Sequence, residues 1–231
     1  MMLFEFRYYE NKRHGRPNFP FQIYKVMHTK LTQQILPIHW HDEMEIIFMD
    51  QGQAVFRIEE KEFHMKSGEA LIVHPGELHS GYNVHSTEVT YYAIVFKLSW
   101  VFAYYQLNND LHNENELSAF IREEVKLPAY LTTKEEAHNR LLLLIKQILH
   151  KYEHQHVGYE LGLKGWLLIL FSDIYELGLL EKGAGHRNKQ HSEARALIRK
   201  VLRYMEEHSH EEIGLDQLAD VISLSRSHFC R

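Results

Sequence analysis

The sequence predicts an α+β chain: an N-terminal antiparallel β-barrel, then a helical pair, then the start of a helix-turn-helix. Three observations carry this. Residues 35–97 are short β-branched and aromatic runs separated by turn residues, as in antiparallel barrels. Near residue 132 the apolar spacing changes to a helical period. From Ile213 onward the chain reads as a short helix with small Ala219 at its centre, a tight turn and a further helix opened by Ser225.

Taken in order, residues 1–34 are aromatic (Phe4, Phe6, Tyr8, Tyr9, Phe19, Phe21, Tyr24) and read as an arm plus a first strand. Val55–Ile58 and Phe63–Met65 flank a hairpin turn at Glu59–Glu62. Gly68 and Gly76 punctuate a strand at Ala70–Val73. Thr90–Phe96 is β-branched and aromatic, suited to a buried strand. Thr132-Thr-Lys-Glu135 has the capping-box pattern that opens a helix. Leu141, Leu144, Ile145, Ile148 and Tyr152 follow at helical spacing. A second helix over 159–180 carries Leu163, Leu167, Leu170, Ile174 and Leu177 on one stripe. Both helices are apolar over a wide arc and need two burial partners. One is the barrel; the other is either a second subunit or the rest of the monomer. Residues 181–191 read as a linker. Ser192 can cap a helix holding Ala196, Ile198, Val201, Leu202 and Met205. The expected division is a barrel with its arm over 1–110, a helical dimerisation region over 111–180, the linker over 181–191 and a partial helix-turn-helix over 192–231.

Hydrophobic residues make up 45% and charged residues 25% of the chain, an ordinary soluble composition. The single cysteine, Cys230, rules out an intrachain disulfide and suits a reducing cytoplasm. No signal-peptide pattern or membrane-length apolar run is present. The net charge of −5 hides a local basic run, in which Glu193 is the only acid between Lys182 and Arg203. Local charge matters more than the total for phosphate backbones.

Chemistry concentrates in two stretches. His39-Trp-His41-Asp-Glu-Met-Glu45 is followed by six residues and then Gly52. Further on, Gly76-Glu-Leu-His79 leads to Asn83. On one strand, residues 39, 41 and 45 share a face, and His79 would join them from a neighbouring strand. Imidazole and carboxylate suit a borderline divalent ion: zinc, nickel, iron or manganese. The alternative is a polar pocket of hydrogen-bonded histidines. Together the stretches resemble the cupin family, whose two conserved patterns they match except that His74 stands where proline is usual and Pro75 follows. The resemblance covers residues 35–97 and implies a jelly-roll barrel with His39, His41, Glu45 and His79 as metal ligands.

The C-terminal stretch resembles the arabinose-regulator (AraC) family of transcription factors through Ile213, Leu215, Leu218-Ala219, Leu224-Ser225, Phe229 and Arg231. Ser223 occupies a turn position where glycine is common. That family joins a cupin-like effector domain to a domain with two helix-turn-helix units. The resemblance implies a cytoplasmic, dimeric, DNA-binding regulator, activator or repressor, responding to a sugar or related small molecule. Arg226, Ser227, His228 and Arg231 would face DNA. A recognition helix reads bases with its N-terminal part, and arginine can bind guanine bidentately. The chain stops at Arg231 with that helix barely begun, so it is expected to be a fragment of a longer parent. Glu43, Arg57 and Tyr8 are the candidate effector-pocket residues. The alternative function is a metal-dependent cupin enzyme of dioxygenase or isomerase type, since such enzymes use the same four ligands.

Overall fold

The computed structural model describes residues 8–103, 120, 125–182, 197–198, 200–205, 207–208 and 210–230. Lys12–Gly183 forms one compact unit, and Met1–Asn11 groups with Ala184–Arg231 in another.

The larger unit is built on two antiparallel sheets. Its strands are β1 (Phe21–His28), β2 (Gln34–His39), β3 (Met44–Gln51), β4 (Gln53–Ile58), β5 (Lys61–Lys66), β6 (Ala70–Val73), β7 (His79–Tyr82), β8 (Val89–Phe96), β9 (Val125–Lys126), β10 (Tyr130–Leu131) and β11 (Glu181–Lys182). Five strands order as β1-β8-β3-β6-β10 and four as β2-β7-β4-β5, while β9 pairs with β11. The expected barrel is thus a cupin-like pair of open sheets. Between them lies a core of Ile35, Ile47, Met49, Phe56, Met65, Leu71, Val73 and Tyr91.

The five-stranded sheet is buried on both faces, which explains the unbroken apolar run at Ile46–Met49. Alternate residues divide between two cores. Ile47, Met49, Leu71 and Val73 face the four-stranded sheet. Ile46, Phe48, Ala70 and Ile72 face the helices. Burying each such side chain contributes roughly 1.5–3 kcal/mol.

Gly52, between β3 and β4, has φ +86, and a Cβ there would lie 2.2 Å from the Glu88 carbonyl oxygen. Only glycine fits that approach without a backbone shift. The β4–β5 turn is tighter than expected. Lys61 and Glu62 already belong to β5, and only Glu59 and Glu60 bend, with Glu59 at φ 52.

After the short helix α1 (Leu98–Val101) come α2 (Glu136–His154) and α3 (Tyr159–Glu176). Leu141, Ile145 and Ile148 of α2 pack with Leu163, Leu167, Leu170 and Ile174 of α3 against the five-stranded sheet. Arg140 reaches across to the buried Asp173, with Nη2 donating to Oδ1 at 2.6 Å. The capping-box expectation is corrected: Glu135 is the N-cap of α2 and makes no side-chain cap bond. Thr132 is engaged elsewhere. Its hydroxyl donates to Glu69 Oε1 at 2.8 Å, and its N–H donates to His138 Nδ1 at 3.1 Å.

In the smaller unit, residues 197–198 and 200–205 are helical. Arg203 lies 4.7 Å from the ring centre of Tyr9. Helices α4 (Leu215–Val221) and α5 (Arg226–Phe229) form the expected helix-turn-helix start. Leu218 and Ala219 are buried, and Ser223 takes φ 56 in the turn, the left-handed conformation its glycine-like position implied. Ser225 is the N-cap of α5, but its hydroxyl meets His228 Nδ1 at 3.0 Å rather than a backbone N–H. Expectations resting on Phe4, Phe6, Ser192, Ala196, Arg231 and the linker beyond 182 lie outside the described residues.

Candidate metal centre

His39, His41, Glu45 and His79 come together with one donor atom from each, all within 4.8 Å of one another. The route differs from the expected one-strand parity. His39 ends β2 in the four-stranded sheet, and Glu45 lies on β3 in the five-stranded sheet. His41 sits in the corner between them, so the chain changes sheet across residues 40–43. His79 pairs directly with His39 on β7. Glu45 pairs with Val73 and Val95. The centre therefore bridges both sheets.

Each histidine is oriented by a backbone carbonyl. The Nδ1 atoms of His39, His41 and His79 lie 2.8, 3.2 and 2.8 Å from the carbonyls of Pro37, Glu43 and Glu77. Such contacts fix the ring and its tautomer, leaving Nε2 as the ligating atom. Glu45 Oε2 lies 2.9 Å from His41 Nε2 and 3.1 Å from His79 Nε2.

This arrangement tests whether a cation fits. His41 and His79 each stand between two acceptors, a carbonyl at Nδ1 and the Glu45 carboxylate at Nε2. A neutral imidazole carries one N–H and can satisfy only one of them. Positive charge between the Nε2 atoms and Glu45 resolves both rings, and a divalent ion supplies it. Glu45 is suited to face that charge. Burial alone raises its pKa, but hydrogen bonds from His41 and His79, with their charge, hold it well below the usual carboxylate range. The same buried carboxylate adds to desolvation in pushing the Tyr91 hydroxyl upward.

The other predicted residues are placed as follows. Glu43 is buried, with carboxylate oxygens 3.9 Å from His41 Nδ1 and 3.7 Å from Lys97 Nζ. It stands behind His41 as a supporting group. Arg57 points outward from β4 and pairs with Glu62 in solvent, so it does not line the interior. Its neighbours Phe56 and Ile58 take the inward positions. Tyr8 belongs to the smaller unit. Arg226, Ser227 and His228 are exposed on α5, where Arg226 pairs with Asp216 at 3.1 Å. His74 is buried against the Leu127 carbonyl at 3.3 Å and takes no part in the donor set.

Sequence reasoning missed His14. It is 3% exposed, its Nδ1 lies 3.1 Å from the Tyr24 hydroxyl, and its ring centre is 5.7 Å from that of His41. Its loop is held by Gly15 at φ +75, where a Cβ would meet the Phe19 carbonyl oxygen at 2.4 Å. The only sequence signal was the His-Gly pair, 25 residues before the motif.

The chain is 23% identical over 227 residues to an uncharacterized HTH-type transcriptional regulator of Bacillus subtilis (strain 168), YdeC, spanning 96% of this chain and 73% of that protein. A cupin 2 conserved barrel domain protein from Salinispora arenicola is 20% identical, with 40% of this chain and 78% of that one covered and a TM-score of 0.33. A predicted oxalate decarboxylase from Thermotoga maritima is 24% identical, with 33% and 66% covered and a TM-score of 0.31. A sequence profile of the AraC-like ligand binding domain matches residues 27–171, which takes in β2 through most of α3 and all four donors. The chain belongs to the AraC-like ligand binding domain family.

Proposed function

We propose that this chain belongs to a ligand-responsive transcription regulator, with its sensing residues in the N-terminal part and its DNA-contacting residues toward the C-terminal side. The observation that carries the reading is the donor set His39, His41, Glu45 and His79 inside a domain of the AraC-like ligand binding family. The regulator relative in Bacillus subtilis supports it. Residues 1–110 would receive the effector, 111–180 would make a homodimer, 181–191 would link, and 192–231 would belong to the DNA-binding domain. Among the described residues no helix is long and apolar enough to cross a membrane; the reading places the protein in the cytoplasm.

His39, His41, Glu45 and His79 would hold a divalent ion, which when bound would supply Lewis-acid affinity for an oxygen-bearing effector such as a sugar. The protein's own residues do the rest. The three carbonyls hold the rings, and Glu43 backs His41. His14 and Tyr24 bring polar groups to the same side of the sheet pair as His41. On the DNA side, Arg226, Ser227, His228 and Arg231 would make the contacts. Electrophoretic mobility shifts with the protein test this. Arg226→Ala should cost roughly 1–3 kcal/mol and relax specificity at one position if it reads a base, or lower the salt slope by about one if it touches phosphate. Unchanged affinity for Arg226→Ala and Arg231→Ala removes both from the interface. The second reading, a cupin metalloenzyme of dioxygenase or isomerase type, is favoured by the donor set alone. A parent that turns over a substrate and binds no specific DNA would establish it.

A further inference from the structure

Away from the sheets, α2 ends in His150-Lys-Tyr-Glu-His154-Gln-His156. Residues four apart on a helix lie on one face, and the ring centres of His150 and His154 are 4.2 Å apart. His154 Nδ1 bonds the His150 carbonyl at 2.8 Å. As in the buried centre, a carbonyl thereby fixes a ring and leaves Nε2 outward. Gln155 then takes the left-handed conformation, φ 41 and ψ 38, and closes the helix. That turn brings the His156 ring to 6.1 Å from His154. All three histidines are exposed, and none belongs to either core. Lys151, the nearest cation in sequence, is drawn to α3, where its side chain covers Gly162.

We propose that His150, His154 and His156 form a second, solvent-open site for a divalent transition ion, independent of the buried four-residue centre. Paired imidazoles four residues apart present two nitrogens to one ion, and His156 adds a third by rotation of an exposed side chain. Water completes the shell. An all-nitrogen donor set selects Cu²⁺, Ni²⁺ or Zn²⁺ and excludes Ca²⁺ and Mg²⁺, which require oxygen ligands. Binding is strongest for Cu²⁺, by the usual order of divalent affinities.

The test is equilibrium dialysis of the whole chain against Ni²⁺, then Cu²⁺, comparing the unmodified protein with H150Q/H154Q. The double variant should lose one equivalent of metal whatever the buried centre holds, with circular dichroism unchanged. His156→Gln should keep the stoichiometry and weaken the binding. In the unmodified chain, Ni²⁺ should protect His150 and His154 from diethyl pyrocarbonate, a readout that needs no variant. Equal stoichiometry in the double variant, or no protection by Ni²⁺, overturns the site.

Discussion

His39 and His79 are direct cross-strand partners, and their ring centres lie 4.2 Å apart. Two imidazoles at that separation, facing Glu45 from the opposite sheet, form a centre that folding itself assembles. The purified chain should therefore hold about one divalent ion at this centre. His41→Ala should abolish it, since that ring links both sheets' contributions. Loading should strengthen as pH rises, because imidazoles ligate only when neutral. Metal analysis after reconstitution with zinc, nickel, manganese and iron decides the matter; no retained ion sinks it.

Assembly can be probed without disturbing the core. Leu161 and Leu168 are 78% and 38% exposed on α3, whereas Ile148 is fully buried within the chain. If the helices form a homodimer, Leu161→Glu and Leu168→Glu should give a folded monomer by light scattering. Ile148→Glu should unfold the chain, which makes it no probe of association. A monomeric unmodified protein at micromolar concentration would contradict the dimer.

Ser223 carries a conformation that costs an ordinary residue about 1–2 kcal/mol. Ser223→Gly should stabilise the helix-turn-helix by roughly 0.5–1 kcal/mol. Hydrogen exchange of the Leu224 amide, which bonds the Ala219 carbonyl at 3.0 Å, reads the gain directly. Faster exchange in the variant would refute it.

Glu69 ties β6 to β10 and the approach to α2. It accepts from the Tyr130 hydroxyl at 2.5 Å, the Thr132 hydroxyl at 2.8 Å and the Lys66 N–H at 2.8 Å. Burial alone would raise its pKa, yet these bonds hold it below its ordinary value. Its contribution is therefore complete above the unfolded pKa of about 4.3 and is lost as pH falls through the lower folded value. Glu69→Gln should cost about 1–2 kcal/mol near neutrality and flatten the acid limb of the urea midpoint. An identical acid limb in the variant would show that other carboxylates govern it.

Much of this was legible because it is local. Ala70–Val73 is bounded by glycines and is β6 residue for residue. The stripe Leu163, Leu167, Leu170, Ile174 is the buried face of α3, whereas Leu177, read as its last member, is the C-cap of a helix that ends at Glu176 rather than 180. The four donors were legible through spacing alone, but their geometry was not. Period-two reasoning assumes one strand, and the chain leaves its sheet between His39 and Glu45. Thr132 was misread because a cap pattern cannot register a competing partner, Glu69, 63 residues away. Arg57 was read as a pocket residue, but Phe56 and Ile58 on either side of it claim the interior. His14 depends on a loop closure that no periodicity encodes.

Strand β3 turns Glu45 toward one sheet while its neighbours Ile46 and Phe48 press on the helical pair. It is a party wall. Protein interiors are too densely packed to absorb motion on one side only. If, on the proposed function, an occupant at the donor set drew on Glu45, the displacement would be passed to the floor beneath α2 and α3. Such an occupant would then be felt on the far side of the wall without touching it, and the two faces are separated by a single peptide unit, from residue 45 to residue 46.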